Sequence, residues 1–136
     1  MTSPNKFVSL ACFLFAFAAP LEAKDLFDCI VEVEMPRGFN HATKGEIGPA
    51  QIRPILIADL NRIYSKRFSE FDAFSLAKSR EMFWLYTNYY ILHGHYPDTP
   101  YNRALLWHYG PRGPRTHPIS SYADRVCALL AAYGSR

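Results

Sequence analysis

Residues 82–92 read MFWLYTNYYIL, and this stretch decides the fold because it is apolar or aromatic on every face of a helix. A helix without a polar side is normally buried on all sides by its neighbours. Together with the residues before it, the pattern predicts one helix from Ser75 to about Leu92, which Gly94 ends. The sequence therefore predicts a mainly α domain of about five helices around a central buried helix.

Further helices are predicted on both sides of the central one. Apolar spacing places them at about residues 25–35, 54–63, 100–109 and 121–132. Thr99 followed by Pro100 is typical of a helix start, and Gly110 stands where a C-terminal glycine is expected. Residues 36–53 carry glycines and prolines and are predicted to form a structured loop. Because no segment alternates strictly, β structure is limited to at most one short hairpin in residues 38–50.

The N-terminal residues have the features of a secretory signal peptide. Lys6 precedes the apolar run FVSLACFLFAFAAP, and a small residue, Ala23, precedes Lys24. The run is shorter than the roughly 20 residues that span a bilayer. We therefore predict a signal peptide at residues 1–23 and one domain at residues 24–136, exported to the periplasm or secreted, with no stable membrane insertion after cleavage. An uncleaved anchor is the alternative.

The charge balance excludes one class of partner. The chain has 15 Lys and Arg against 12 Asp and Glu, a net charge of +3. Loss of residues 1–23 removes Lys6 and Glu22 and leaves that value unchanged. Nucleic-acid binding requires a concentrated basic face, which this composition lacks. An anionic polymer such as a cell wall is compatible with the charge but is not selected by it.

Two cysteines, Cys29 and Cys127, remain after the predicted cleavage. An oxidising compartment permits them to pair. A disulfide across nearly the whole mature chain would contribute about 4 to 5 kcal/mol in the chain-entropy model. Two buried thiols are the equally weighted alternative.

The first helix directs one carboxyl group inward. Phe27, Ile30 and Val31 form its apolar face. Glu34 lies on that face one turn after Ile30, whereas Glu32 lies on the opposite, solvated face. Apolar surroundings and the negative end of the helix dipole both favour a neutral carboxyl group, which a general acid must have.

Periodicity alone leaves another reading of Glu34 open. The residue would then lie at the rim of the apolar face and pair with an arginine such as Arg37 or Arg53. From helical phase alone this alternative is favoured.

Four segments resemble the lysozyme-like superfamily, specifically the lytic transglycosylase (SLT-type) domain. In that family a catalytic glutamate ends the first helix and a Gly-x-x-Gln-Ile turn follows. The resemblance covers about residues 25–127 in the family's order. The matching segments are VEVE, GEIGPAQI continuing into QIRPILIADLNRI, KSREMFWLYTNYY, and ALLWHYGPRG with Tyr122 to Val126 after it.

The resemblance implies a set of site residues. It places the catalytic glutamate at Glu34, the position that helical phase had also singled out. Gln51 and Ile52 fall in the turn that lines the family's sugar site. Trp107, His108 and Tyr109 fall where the family brings an aromatic residue and an asparagine over the bound sugar.

Three positions depart from the family pattern. Met35 replaces the serine after the glutamate, His108 replaces the asparagine of the closing motif, and Tyr109 replaces the next glycine. Histidine can still donate a hydrogen bond, whereas methionine cannot.

The resemblance also implies a reaction that needs a single carboxyl group. Ordinary glycoside hydrolysis uses two, and Asp59 and Asp72 are weak candidates, since Asp59 fits a solvated edge and Asp72 is predicted to cap the central helix. In the family, one glutamate cleaves the MurNAc-GlcNAc β-1,4 bond of peptidoglycan glycan strands and leaves a 1,6-anhydro sugar. A hydrolytic lysozyme, a catalytically silent cell-wall-binding protein and a helical structural protein without glycan affinity are the alternatives.

The other aromatic residues and the histidines are assigned structural roles. A sugar groove is the alternative for Trp84, Tyr86, Tyr89 and Tyr90, but their place on an apolar helix favours the core. Trp107 and Tyr109 are equally weighted between core and groove. His93 and His95 have no carboxylate or cysteine at ligand spacing and are predicted to form a polar cap. The sequence thus predicts no metal and no cofactor.

Overall fold

The computed structural model of the protein describes residues 24–34 and 45–134. In this part of the chain there are six α-helices and one 3-10 helix, so the mainly α fold is confirmed. The predicted signal peptide, Met35, and residues 36–44 of the predicted loop lie outside the described residues. The helices are α1 (Leu26–Glu34), α2 (Pro54–Tyr64), a 3-10 helix (Glu70–Phe74), α3 (Leu76–His93), α4 (Pro100–Tyr109), α5 (Gly113–Thr116) and α6 (Ser121–Gly134).

The core lies where α1, α3, α4 and α6 meet. Phe27 of α1 faces Phe83 of α3, with ring centroids 5.7 Å apart. The Arg80 guanidinium of α3 also bonds to Asp25 and Asp28 at the start of α1. These contacts fix α1 against α3 and so set the position of the glutamate at the end of α1.

The central helix α3 is buried on one side only, so the prediction of burial all round is wrong. Met82, Phe83 and Tyr86 are buried, but Leu76 and Leu92 are 54% and 70% exposed. The reason is that α3 packs against α2, the 3-10 helix and α4. On its other side, tyrosines with a polar end occupy partly buried positions, as amphipathic side chains do.

The helix ends follow the local sequence signals. The Thr99 side chain accepts from the backbone N–H of Asn102 at 3.1 Å, and Gly110 ends α4 with φ +88°. Ser75 caps α3 by accepting from the Lys78 N–H at 3.3 Å. Asp72 was predicted for that role, but it instead forms a capping box with Ser69 in the 3-10 helix.

A tight turn is formed by residues 47–52, while residues 38–44 of the short hairpin considered for 38–50 lie outside the described residues. Ile47 and Ile52 exchange backbone hydrogen bonds of 2.8 and 2.9 Å and form one isolated antiparallel bridge. No strand is assigned in residues 45–134. An ideal Cβ atom on Gly48 would be 2.0 Å from the carbonyl oxygen of Ala73, so the turn is pressed against the 3-10 helix.

The two cysteines are unbonded thiols in the structure. Cys29 lies in the core, and burial raises the pKa of its thiol to about 11. Cys127 is partly buried, which also raises its pKa. Within residues 24–34 and 45–134, no helix is both long and apolar enough to cross a membrane.

Candidate active site

Glu34 is buried at the end of α1, with only 4% of its surface exposed. Its Oε1 atom lies 3.6 Å from Nδ1 of His108, near the end of α4. Arg53, one of the two arginines considered as its partner, donates to the backbone oxygen of His108 at 3.4 Å, and the other, Arg37, lies outside the described residues. The inward orientation predicted for Glu34 is confirmed.

Glu32 lies on the surface, as helical phase predicted. Its carboxylate accepts hydrogen bonds from Lys24 at 2.8 Å and from the Tyr133 hydroxyl at 2.7 Å. The hydrogen bond from Lys24 is the main reason why the pKa of Glu32 is lowered. Glu32 is therefore ionised at neutral pH and suits a structural ion pair.

Gln51 occupies the strained position of the Ile47–Ile52 turn, with a left-handed φ of +53°. Its Nε2 atom donates to the Gly48 carbonyl at 2.9 Å. Its Oε1 atom is buried and accepts no hydrogen bond from any residue described by the structure. Left-handed backbone is costly for a residue with a side chain, and such strain is concentrated at functional sites.

Ile52 lies beneath the turn. Its side chain is 1% exposed, and its N–H and C=O groups both bond to Ile47. The structure therefore places Ile52 in the core and not on a surface that a sugar could contact.

Trp107 joins α4 to the turn. Its indole Nε1–H donates to the Ala50 carbonyl at 3.1 Å, and its ring centroid lies 5.3 Å from that of Phe83. The side chain is largely buried. Trp107 thus belongs to the core and also borders a cleft.

His108 and Tyr109 are each held by a stacked ring. The ring centroids of His108 and Tyr122 are 4.0 Å apart, with an interplanar angle of 16°. The ring centroids of Tyr109 and His117 are 3.8 Å apart, with an interplanar angle of 4°. The Tyr109 hydroxyl lies 3.1 Å from Oγ of Ser120. Stacking therefore restrains the orientation of both side chains, and the contact with Ser120 restrains Tyr109 further.

A cleft of about 560 Å³ lies between α2, α3 and the end of α4. Its lining includes Trp107 and Tyr109, but it contains neither Glu34 nor His108 among the described residues. Arg53 connects the two places, since it lines the cleft and bonds to His108. The two residues that flank His108 in the sequence, Trp107 and Tyr109, therefore line the cleft, whereas His108 itself contacts Glu34.

Sequence reasoning favoured other places for the residues of the opposite wall, the core for Tyr86 and Tyr90 and a solvated edge for Asp59. Tyr86 and Tyr90 line it together with Asp59 and Arg62 of α2. The Tyr90 hydroxyl donates to Asp59, and Nη2 of Arg62 donates to the other carboxylate oxygen at 2.5 Å. Burial, and the hydrogen bond to Asp59, raise the pKa of Tyr90. The available signal was the helical spacing of Asp59 and Arg62, which places both on one face of α2.

In the described part of the chain, no three His, Cys, Asp or Glu side chains lie close enough to hold a metal ion. Comparison with known proteins gives no match: no protein-family model, no curated protein sequence and no solved structure matches this chain.

Proposed function

We propose that the protein is an exported peptidoglycan-cleaving muramidase of the lytic transglycosylase type, in which Glu34 is the single catalytic carboxyl group. The observation that carries the proposal is the position of Glu34, buried at the end of α1 and 3.6 Å from the His108 ring. The motif resemblance places the catalytic glutamate at the residue that helical phase directs inward, although phase alone favoured the alternative at the rim.

The proposed reaction uses Glu34 twice. As an acid, Glu34 gives its proton to the glycosidic oxygen, and the C1–O bond of the MurNAc residue breaks. The acetamido group of that sugar supports the cation at C1. Glu34, now a carboxylate, takes the proton of the sugar's own C6 hydroxyl, whose oxygen bonds to C1. The proton balance closes, no water is consumed, and the product is a 1,6-anhydro sugar.

The site supports this scheme through its packing. The turn at Gln51 and the rings of Trp107 and Tyr109 come from different elements and are fixed by hydrogen bonds and stacking. A bound sugar would reach Glu34 past His108, whose side chain is 27% exposed.

A pair of glutamine variants tests the proposal. Glu34→Gln removes the transferable proton and should lower the rate of sacculus cleavage by at least about 100-fold, which is the usual contribution of a general acid. Glu32→Gln, two residues away on the solvated face, should retain the rate of the wild type. Mass spectrometry of the digest should show anhydro ends. Hydrated reducing ends would reassign the protein as a lysozyme, and equal rates for both variants would reject Glu34 as the catalytic group.

A catalytically silent cell-wall-binding protein is the second candidate. It is favoured by the absence of Glu34 from the described lining of the cleft and by His108 at the position of the family's asparagine. Sacculi would then retain the wild-type protein in a pull-down, while a zymogram would show no clearing with either the wild type or Glu34→Gln.

A further inference from the structure

The 3-10 helix carries an apolar patch on the surface that the proposed cleavage does not use. Phe71 and Phe74 are 81% and 59% exposed, and Leu76, at the start of α3, is 54% exposed. Side chains three residues apart lie on the same side of a 3-10 helix, and the centroids of the two phenylalanine rings are 6.4 Å apart. Large exposed apolar patches mark sites at which proteins contact other proteins or membranes.

The backbone beneath the patch holds the two phenylalanine rings outward. Ala73, which lies between them in the sequence, is fully buried, and its carbonyl oxygen accepts a hydrogen bond from Oγ of Ser79 at 3.0 Å. The turn at Gly48 also packs against this carbonyl group. Rotation of either ring into the core would break these contacts, so the patch is a fixed feature of the folded chain.

The patch lies beside the start of the described chain. Leu76 and Arg80 are one turn apart on the same face of α3, and the Arg80 guanidinium bonds to Asp25. The N-terminal apolar run ends at residue 20, and the four residue steps from there to Lys24 reach at most about 14 Å. A bilayer that holds this run would therefore lie close to the patch.

The charges around the patch balance one another. Lys66 and Lys78 both bond to Glu81, at 3.2 and 3.3 Å. Apart from Arg80, residues 66–81 carry three cations and three carboxyl groups: Lys66, Arg67, Lys78, Glu70, Asp72 and Glu81. A surface without net charge gains little from an anionic polymer or from anionic headgroups, so apolar contact must supply most of the binding.

We propose that Phe71, Phe74 and Leu76 form a membrane-contact surface, which lies against the interfacial region of a lipid bilayer. The contact is shallow, because the three side chains reach only the boundary between headgroups and acyl chains. Burial of the two phenylalanine rings supplies the main favourable contribution. The inference goes beyond the proposed cleavage, since it concerns where the domain is held and does not involve Glu34.

Tryptophan fluorescence of the full chain, mixed with phosphatidylcholine vesicles whose acyl chains carry bromine, tests the proposal. Bromine quenches a tryptophan that reaches the acyl chains, and Trp84 and Trp107 of the wild type give the background. Phe71→Trp should show quenching clearly above this background. Leu92→Trp is the matched control, because position 92 is also exposed, at 70%. It follows Leu76 by sixteen positions, which places it about 24 Å further along α3 and nearly on the opposite side.

Two further measurements separate apolar from electrostatic contact. Phe74→Ser, added to Phe71→Trp, changes an exposed position and should lower the additional quenching at least about twofold, since burial of one phenylalanine is worth about tenfold in a partition constant. The additional quenching should persist at about 1 M salt, where charges are screened beyond about 3 Å.

The proposal is overturned if Phe71→Trp is quenched no more than the wild type, or if Leu92→Trp is quenched equally, which would indicate unspecific adsorption. Loss of the quenching at high salt would assign the binding to the charged side chains instead. A dimer that Phe71→Ser abolishes, without quenching on vesicles, would assign the patch to a second copy of the chain. Glu34→Gln, combined with Phe71→Trp, should be quenched as strongly as Phe71→Trp alone, so a failure of the proposed cleavage leaves this test unaffected.

Discussion

The Nδ1 atom of His108 lies 3.6 Å from the Oε1 atom of Glu34, and the imidazole ring is stacked on Tyr122 at 4.0 Å. Glu34 is the last residue of α1, and His108 is the last but one of α4. The contact therefore joins two helices whose relative position is fixed by α6, which packs against both.

Replacement of His108 should show whether its ring orients the Glu34 carboxyl group, independently of any effect on folding. In the proposed enzyme, His108→Leu keeps much of the side-chain volume but removes the ring nitrogens, so we expect kcat on purified sacculi to fall about tenfold. His108→Asn supplies an N–H donor and should retain more of the kcat. Melting temperatures of both variants serve as the control. A His108→Leu variant with wild-type kcat would show that the ring nitrogens do not act on Glu34.

Loss of the Trp107 hydrogen bond should destabilise the domain. Trp107→Phe leaves the Ala50 carbonyl buried without its indole donor, which costs about 1 to 3 kcal/mol in the free energy of unfolding. Trp84→Phe is the control, because Trp84 is only partly buried and phenylalanine can keep an edge contact with Phe83. Urea denaturation measures both. Equal losses in the two variants would mean that the bond to Ala50 contributes nothing particular to stability.

Two glycines with similar backbone angles differ in the space around them. Gly45 has φ +78° with nothing within 4 Å of an added Cβ, whereas Gly48 has φ +71° and faces the Ala73 carbonyl at 2.0 Å. Gly45→Ala should cost about 1 to 2 kcal/mol from left-handed backbone alone. Gly48→Ala should cost clearly more, because the 3-10 helix must also move. Thermal unfolding measures both variants. Equal decreases in their melting temperatures would contradict the prediction.

The two thiols should react at different rates. Cys29 is fully buried, and the pKa of its thiol is raised to about 11 by desolvation, so iodoacetamide at pH 8 should label Cys127 first. The same shift should make the free energy of unfolding fall as the pH rises from about 9 to about 11, since the unfolded thiol ionises first. Peptide mass spectrometry locates the label, with urea-unfolded protein as the control. If neither thiol reacts until a reductant is added, the two cysteines form a disulfide.

The sequence predicted correctly those features that depend on residues a few positions apart, such as helix caps and the inward face of a helix. Thr99 and Gly110 were assigned correctly because capping depends on neighbours a few residues away. Glu34 was placed inward because helical phase relates it directly to Phe27 and Ile30.

The cleft could not be predicted, because it arises from how separate helices pack. Tyr86 and Tyr90 lie on an apolar stretch and were assigned to the core. Tyr86 is buried there as predicted, but both tyrosines also line the cleft that α2 leaves open opposite them. The short helix α5 was missed, since it lies between the helices predicted at residues 100–109 and 121–132. The 3-10 helix was missed for a similar reason: Asp72 reads equally well as a cap for the helix that follows.

The close approach of Gly48 to Ala73 also limits how this turn can be reused. A protein engineer who transplants residues 45–53 onto another scaffold would carry over the Gln51 geometry only if the host offers a backbone as close as Glu70–Phe74. The smallest transferable unit therefore consists of two separate segments of the sequence. A graft of the turn alone would lose the 3-10 helix backbone against which the turn packs.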